Sequence, residues 1–375
     1  MTALLERRHG RCLDVALQPK TITAFDLCAG VGGFRAGSEA ISGLKIKFVG
    51  SCEIDPYSNR TYKAMFRSEE ELQINDLRSV TRFPNEQDLI RLPYRQERLR
   101  KIRDLLPSFS LLTAGFPCQS HSLMGNRLGE DDERGSLFYD IAEVIRAAEP
   151  RHFILENVRA IKSVNAGSFY EGILATLQTE LGYTVRVWEL NAADYGVPQT
   201  RRRIFFVGSK GRLPDVSPPT VPRSNAQYAT VWHLLEKKVD EKYYLTERIL
   251  KTVLKDEHKG YRRKADINQI IARPLTRTMH KMHRASQDNY YSDAFVHGNF
   301  NEDTGTVTLA KTGQDRIRRI TPREAFRIQS FSNTLTERAV ASGVSDTQLY
   351  MQAGNAVPPR LVQSVIEHTL GELNG

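Results

Sequence analysis

Apolar and polar positions along the chain fall into two kinds of block. Short unbroken apolar runs read as buried strands, and longer stretches with apolar residues three and four apart read as helices. The first strand is predicted over residues 22–27, followed by the turn Ala29-Gly30-Val31-Gly32-Gly33 and a helix over residues 34–41. A second strand over residues 47–52 ends on acidic Glu53 and precedes a helix over residues 56–66. Strand-like runs at residues 110–114, 153–155, 184–190 and 204–207 are separated by helical patterns such as 136–148 and 170–181. Strands alternating with helices predict an α/β fold, a mostly parallel sheet flanked by helices on both faces.

After Gly208 the sequence becomes rich in Pro, Lys and Arg, and the periodicity weakens. This places a domain boundary there: residues 1–208 form the larger domain, completed by a C-terminal segment 346–375, and residues 209–345 a smaller second one. Helical patterning returns at Thr321-Pro322-Arg323-Glu324, where Thr321 suits an N-cap, Pro322 the first helical position and Glu324 the third residue of a capping box. A last helix is predicted over residues 359–373.

Composition narrows the partners. A hydrophobic fraction of 40% and a charged fraction of 26%, with no apolar run of about 18 residues, argue against any membrane partner. Residues 1–20 carry Glu6, Arg7, Arg8, His9 and Arg11, unlike a secretory signal, so a cytoplasmic location is expected. Cys12, Cys28, Cys52 and Cys118 have no Cys-x-x-Cys or zinc-type spacing, so neither a disulfide framework nor a bound metal is expected. The 53 Lys and Arg outnumber the 44 Asp and Glu, and a net charge of +9 favours polyanionic partners.

Two features carry candidate chemistry. A glycine turn after a first strand, with an acid at the end of the second, fits either a plain tight connection or the seat of an adenosine-bearing ligand. Arg35 stands where a dinucleotide fingerprint wants a third small residue, which argues against NAD. Gly115-Phe116-Pro117-Cys118-Gln119-Ser120 follows a strand directly, placing Cys118 at the carboxyl edge of the sheet. A cysteine there is either a buried structural thiol or a nucleophile activated by nearby positive charge.

Six ordered blocks carry a family resemblance: Asp26-Leu27-Cys28-Ala29-Gly30-Val31-Gly32-Gly33-Phe34, Gly115-Phe116-Pro117-Cys118-Gln119, Glu156-Asn157-Val158, Gln199-Thr200-Arg201-Arg202-Arg203, Arg319-Ile320-Thr321-Pro322-Arg323-Glu324 and Gly354-Asn355-Ala356-Val357-Pro358. They resemble the signature blocks of the DNA cytosine-5 methyltransferases, of the bacterial restriction-modification or orphan type, from about residue 22 to the end. The resemblance implies a Rossmann-like S-adenosylmethionine-dependent fold, with residues 209–345 as a DNA target-recognition domain. It implies methyl transfer from S-adenosylmethionine to carbon 5 of a flipped-out cytosine, through a covalent bond between Cys118 and C6. Glu156 is given the cytosine N3 and Arg203 the O2, with Arg201 close by. Asp26, Cys28, Gly30, Gly32, Gly33, Glu53, Ile54, Asp76, Leu77, Pro117, Asn355 and Val357 are implied to hold the cofactor.

The implied partner is double-stranded DNA, met by a nucleoid-associated monomer with, at most, a functionally paired restriction endonuclease. Gln119, Ser122 and Met124 on a glycine-bearing loop, and Arg273, Arg277, Lys281 and Arg284, with His280 and His283 among them, are the expected DNA contacts. Cys28 departs from the family's usual Phe, and His121 from another Phe three residues after the nucleophile. An RNA-modifying relative is disfavoured because the middle region lacks the Cys-Phe-Thr-type stretch of the tRNA-methylating branch. A catalytically dead homologue would lack Cys118 or Glu156, and an amino-methyltransferase would carry an Asp-Pro-Pro-Tyr or Asn-Pro-Pro-Tyr segment.

Overall fold

The computed structural model describes residues 21–82, 92–117, 137–221, 230–254, 257–258, 261–262, 266–281, 283–284, 287–313 and 315–371. Its centre is a seven-stranded sheet built from β1 (Thr21–Leu27), β2 (Lys45–Cys52), β3 (Leu72–Ile74), β4 (Leu111–Gly115), β5 (His152–Val158), β6 (Thr184–Asn191) and β7 (Arg202–Ser209). The order is β3-β2-β1-β4-β5-β7-β6, and only β7 runs against its neighbours. Strand order reverses between β1 and β4, so a crevice opens there at the carboxyl ends of the strands.

Apolar residues on both sides of each strand explain the unbroken runs in the sequence. Phe25, Leu112, Leu155 and Phe206 face one layer, packing with Ile102, Ile141, Ile145 and Ile173 of α4 (Leu92–Leu105), α5 (Leu137–Ala148) and α6 (Ser168–Ala175). Their neighbours Ala24, Leu111, Ile154 and Phe205 face the other, against Phe34, Leu361, Val365 and Ile366 of α1 (Gly33–Glu39) and α12 (Pro359–Gly371). Each such side chain contributes roughly 1.5–3 kcal/mol by leaving water. After β2, α2 (Pro56–Phe66) starts on an Asp55 cap whose carboxylate accepts from Tyr57 N and Ser58 N.

The sequence reading missed several elements, among them β3, α3 (Arg78–Thr81) and α4 beside the sheet. β3 has three half-exposed residues at the sheet edge, and α4 reads as charged because only Leu99, Ile102 and Leu106 of that stretch pack inward. The helix expected over residues 170–181 is α6 followed by a wider π turn at Thr176–Glu180.

A second core gathers Val231, Leu275, Tyr291, Phe295, Phe326, Leu349, Tyr350 and Ala353, and takes in Val31, Tyr62, Met65 and Phe66 from the sheet side. After the short α7 (Glu247–Val253), its helices are α8 (Asp293–Val296), α9 (Pro322–Ile328), α10 (Asn333–Val340) and α11 (Asp346–Asn355). Leu349, Tyr350 and Ala353 of α11 pack in this second core, and Val357 packs with the sheet-side layer of α12. Arg318 and Glu324, 1% and 0% exposed, are paired at 2.7 Å in the middle of this core. Glu324 also closes the expected capping box on Thr321 and accepts Glu236 N at 2.7 Å, so all its demands are met inside the fold.

Breaking one half of a buried pair strands the other charge, at a cost of about 3–5 kcal/mol. Arg318→Ala is therefore expected to lower the denaturation midpoint sharply, and the double change with Glu324→Gln to recover part of the loss. Equal or greater instability of the double variant in urea unfolding would contradict this account.

Candidate active site

The carboxyl ends of β1, β2, β3 and β4 lie side by side, and backbone bonds lock the turns that follow them. Ala29 N donates to Cys52 O and Glu53 N to Ile74 O, both at 3.0 Å. Asp26, Cys28, Glu53, Ile54, Asp76, Leu77 and Pro117 stand at or just past these strand ends, along one edge of the sheet. Glu53 closes the glycine turn: one carboxylate oxygen accepts Gly30 N and the other Asp55 N, both at 2.8 Å. Burial pushes its carboxyl above the ordinary range. Gly30, at φ 54°, has open space where a Cβ would stand. Ile54 is 70% exposed beside it, and Leu77 is buried.

Gly33 serves a different purpose. A Cβ there would lie 2.2 Å from the Val357 carbonyl oxygen, so only glycine lets the returning C-terminal segment pass over the start of α1. That contact brings Val357 to the edge, with Asn355 exposed just before it. Gly32 takes φ 80° at the N-cap of the same helix. Arg35, which displaced the third small residue of a dinucleotide turn, is tied to Glu39 at 2.7 Å and Glu71 at 2.6 Å and lies against Phe66. Cys28 has φ 51° and is partly buried against the core, which, together with Glu53, pushes its thiol well up.

Asp26 is fully buried. Its Oδ1 accepts from Thr113 Oγ1 at 2.7 Å, while Oδ2 has no partner among the described residues. Desolvation outweighs that hydrogen bond and the nearby Arg35, pushing the carboxyl up to about 7. An orphaned buried acceptor, an open glycine cradle and an exposed apolar side chain together fit a ligand with a cationic end and an adenosine.

On the other side of the crevice, Glu156 pairs across the sheet with Gly115, three residues before Cys118. Its Oε1 meets Arg203 Nε at 2.7 Å, and Oε2 lies over Gly115 near Val357. Burial raises the Glu156 carboxyl against the opposing pull of Arg203 and Arg201. Asn157 holds the approach to Cys118 by donating from Nδ2 to the Phe116 carbonyl at 2.8 Å, a role the sequence reading did not assign. Cys118, Gln119, Ser122 and Met124, His121 and the loop around them lie outside the described residues.

Arg201 and Arg203 have different surroundings. Arg201 is 1% exposed, and its guanidinium donates to the carbonyls of Leu275, Gly354 and Ala356 at 2.8, 3.0 and 2.9 Å. It is a clamp between segments, where the sequence reading placed it among the catalytic residues, close by the base. Gln199 completes the clamp, accepting Leu275 N at 2.8 Å and donating to Gln329, whose amide in turn donates to Ala353 O at 2.5 Å. Neither glutamine was singled out from the sequence, although Gln199 opens the arginine block.

The expected DNA contacts divide similarly. Arg277 and Lys281 are exposed. Arg273 instead donates to Asp266 O and Asp288 O, and Arg284 to Thr276 and Asp288, so these two brace their own segment. The acid four residues after Arg284 was the visible signal. His283 lies against Arg319 and Tyr290, and burial with that cation lowers it to about 4.

A family model described as C-5 cytosine-specific DNA methylase matches residues 22–370. The chain is 32% identical over 346 residues to the type II methyltransferase M1.ScrFI of Lactococcus lactis subsp. cremoris, covering 92% of this chain and 77% of that protein. It is 31% identical to M.HpaII of Haemophilus parainfluenzae, over 94% of this chain and 90% of that one. Among solved structures, S. pombe Dnmt2 methyltransferase superposes with a TM-score of 0.66 at 17% identity, covering 95% of this chain and all of that chain, a likeness of fold.

The state of Asp26 generates a pH prediction. Its carboxyl ionises near 3.9 when unfolded but holds its proton to about 7 when folded, so stability falls as pH rises between these values. Asp26→Asn removes that penalty, and its stability relative to the parent should grow from near pH 4 to a ceiling of about 4 kcal/mol above pH 7. Thermal melts across pH 4–8 test it; a difference constant with pH would mean that Asp26 ionises normally.

Proposed function

The chain belongs to the C-5 cytosine-specific DNA methylases and is a DNA (cytosine-5-)-methyltransferase; from that premise we propose how its residues divide the reaction. The observation that carries the reading is the buried Glu156–Arg203 pair at the crevice, with Glu156 opposite Gly115, which stands three residues before Cys118 in the sequence.

Cytosine C5 is a weak nucleophile until something adds at C6. In the proposed reaction the Cys118 thiolate adds there and C5 becomes enamine-like. Electron density moves to N3 and O2 of the ring. Glu156, whose carboxyl burial favours the protonated form, donates to N3, and the Arg203 cation lies by O2. After C5 has taken the methyl group, its proton leaves and the bond to Cys118 breaks. Arg201 is a positioning residue that fixes β7, and with it Arg203.

S-adenosylmethionine, which the family implies, supplies a methyl group on a sulfonium and is electrophilic at carbon. Asp26 Oδ2 is the acceptor for its ammonium, Glu53 for the ribose hydroxyls and Asp76 for the adenine amine, with Ile54 and Leu77 against the rings. Cys28, Gly30, Gly32, Gly33, Pro117, Asn355 and Val357 wall the site. Double-stranded DNA is the substrate, its cytosine turned out of the helix, with Gln119, Ser122, Met124, Arg277 and Lys281 in contact. Residues 209–345 supply target recognition.

Duplex DNA with 5-fluorocytosine at the target tests the covalent route, because fluorine does not leave as a cation. A denaturation-resistant adduct should form only with S-adenosylmethionine present, map to Cys118 and vanish in Cys118→Ser. No adduct, on a sequence the parent methylates when unmodified, would exclude addition and elimination. Glu156→Gln and Arg203→Ala should each lower kcat about 100-fold or more with little change in DNA binding. Parent-like turnover in either variant removes its assigned role.

A further inference from the structure

Beyond the base-holding pair, the same sheet edge carries a group of cations that the reaction does not use. β5 ends at Val158, and the next turn presents Arg159 and Lys162 to solvent, with side chains 60% and 43% exposed. Both converge on Glu189 of β6, Arg159 at 3.2 Å and Lys162 at 2.5 Å. Arg202, exposed at the start of β7, lies close enough to help lower the Glu189 carboxyl. Its backbone carbonyl is held by Arg203 Nη1 at 2.8 Å, so this cation is one residue from the guanidinium proposed to face cytosine O2.

Chain direction explains the gathering. β5 and β6 end at this edge and β7, running the other way, begins there. Two strand spacings, about 10 Å, span the group from β5 to β6. Three cations share one carboxylate, leaving an excess of two positive charges on an exposed lip. If folding alone explained them, one cation would have satisfied Glu189.

We propose that Arg159, Lys162 and Arg202 form a shelf that grips the phosphodiester backbone beside the flipped cytosine, Glu189 holding the first two extended until phosphate replaces it. The proposal rests on the methyltransferase reading above. Phosphate is the fitting ligand because it is anionic, repeats along the strand and lies next to any base delivered to Glu156 and Arg203. Such contacts position DNA without reading sequence.

The test compares two triple variants in the full chain. R159A/K162A/R202A empties the shelf, while K45A/K47A/R151A removes the same charge from exposed positions at the opposite, amino edge of the sheet. DNA dissociation constants are measured from 0.05 to 0.5 M salt, alongside S-adenosylmethionine binding and kcat at saturating DNA. Emptying the shelf should flatten the log–log salt slope by about 2–3, at roughly 0.9 per lost phosphate contact, and weaken binding about 10- to 100-fold near 0.15 M salt. Cofactor affinity and kcat should stay within a factor of three, and the amino-edge variant should keep the parent slope. Parent-like slope in the shelf variant, or equal flattening in both variants, overturns the shelf. A parent chain that binds duplex DNA with this salt signature but never methylates cytosine would instead overturn the catalytic reading.

Discussion

The architecture around the active edge depends on one buried guanidinium. Arg201 meets three backbone carbonyls that no strand or helix satisfies, from Leu275, Gly354 and Ala356. A carbonyl buried without a donor costs about 1–3 kcal/mol, so these segments have a strong reason to stay where the guanidinium is. Gln199 and Gln329 extend the arrangement to Leu275 N and Ala353 O, so the second core, the C-terminal return and the entrance to β7 share one set of hydrogen bonds. Arginine suits this place because its donors fan out in a fixed plane, whereas a lysine would reach the carbonyls as a single point.

The carboxylates along the edge show how environment separates chemically identical groups. Asp26 and Glu156 are both buried and both raised by desolvation, yet Asp26 has one hydroxyl donor and an oxygen with no partner among the described residues, while Glu156 has an arginine at 2.7 Å. Glu53 spends both oxygens on backbone donors and so shapes the glycine turn itself. A cationic ligand end beside Asp26 would pull its proton off, which makes cofactor binding and carboxyl ionisation one coupled event.

Much of this was legible in the chain. Strands β1, β2, β4, β5, β6 and β7 announced themselves because both faces of a covered sheet are apolar, and the glycine turn and capping box have local chemistry. β3 and α4 did not, since a three-residue edge strand and a helix that buries one narrow stripe leave little pattern. The residues proposed to handle cytosine were legible as types in ordered blocks. Their division of labour was not: Arg201 and Arg203 stand two apart in one basic run, and what separates them is supplied by residues 275, 354 and 356, remote in sequence. Arg273 and Arg284 show the opposite case, having acids close by at Asp266 and Asp288 that a reading of positive charge alone passed over.

The pairing of Glu156 with Arg203 sets two requirements against each other. Were the carboxyl ionised, the pair would be neutral and would offer cytosine N3 no proton; were Arg203 absent, burial would hold the proton too firmly to respond as charge develops on the ring. Desolvation raises the carboxyl while the guanidinium at 2.7 Å draws it down, and desolvation is the larger effect. That balance holds only while β7 keeps its register, with Arg203 opposite Val158 and Phe205 opposite Glu156. Register in turn is anchored where β7 begins, one residue after the Arg201 clamp. The Arg201 clamp therefore sets the electrostatics of the two groups proposed to meet the base.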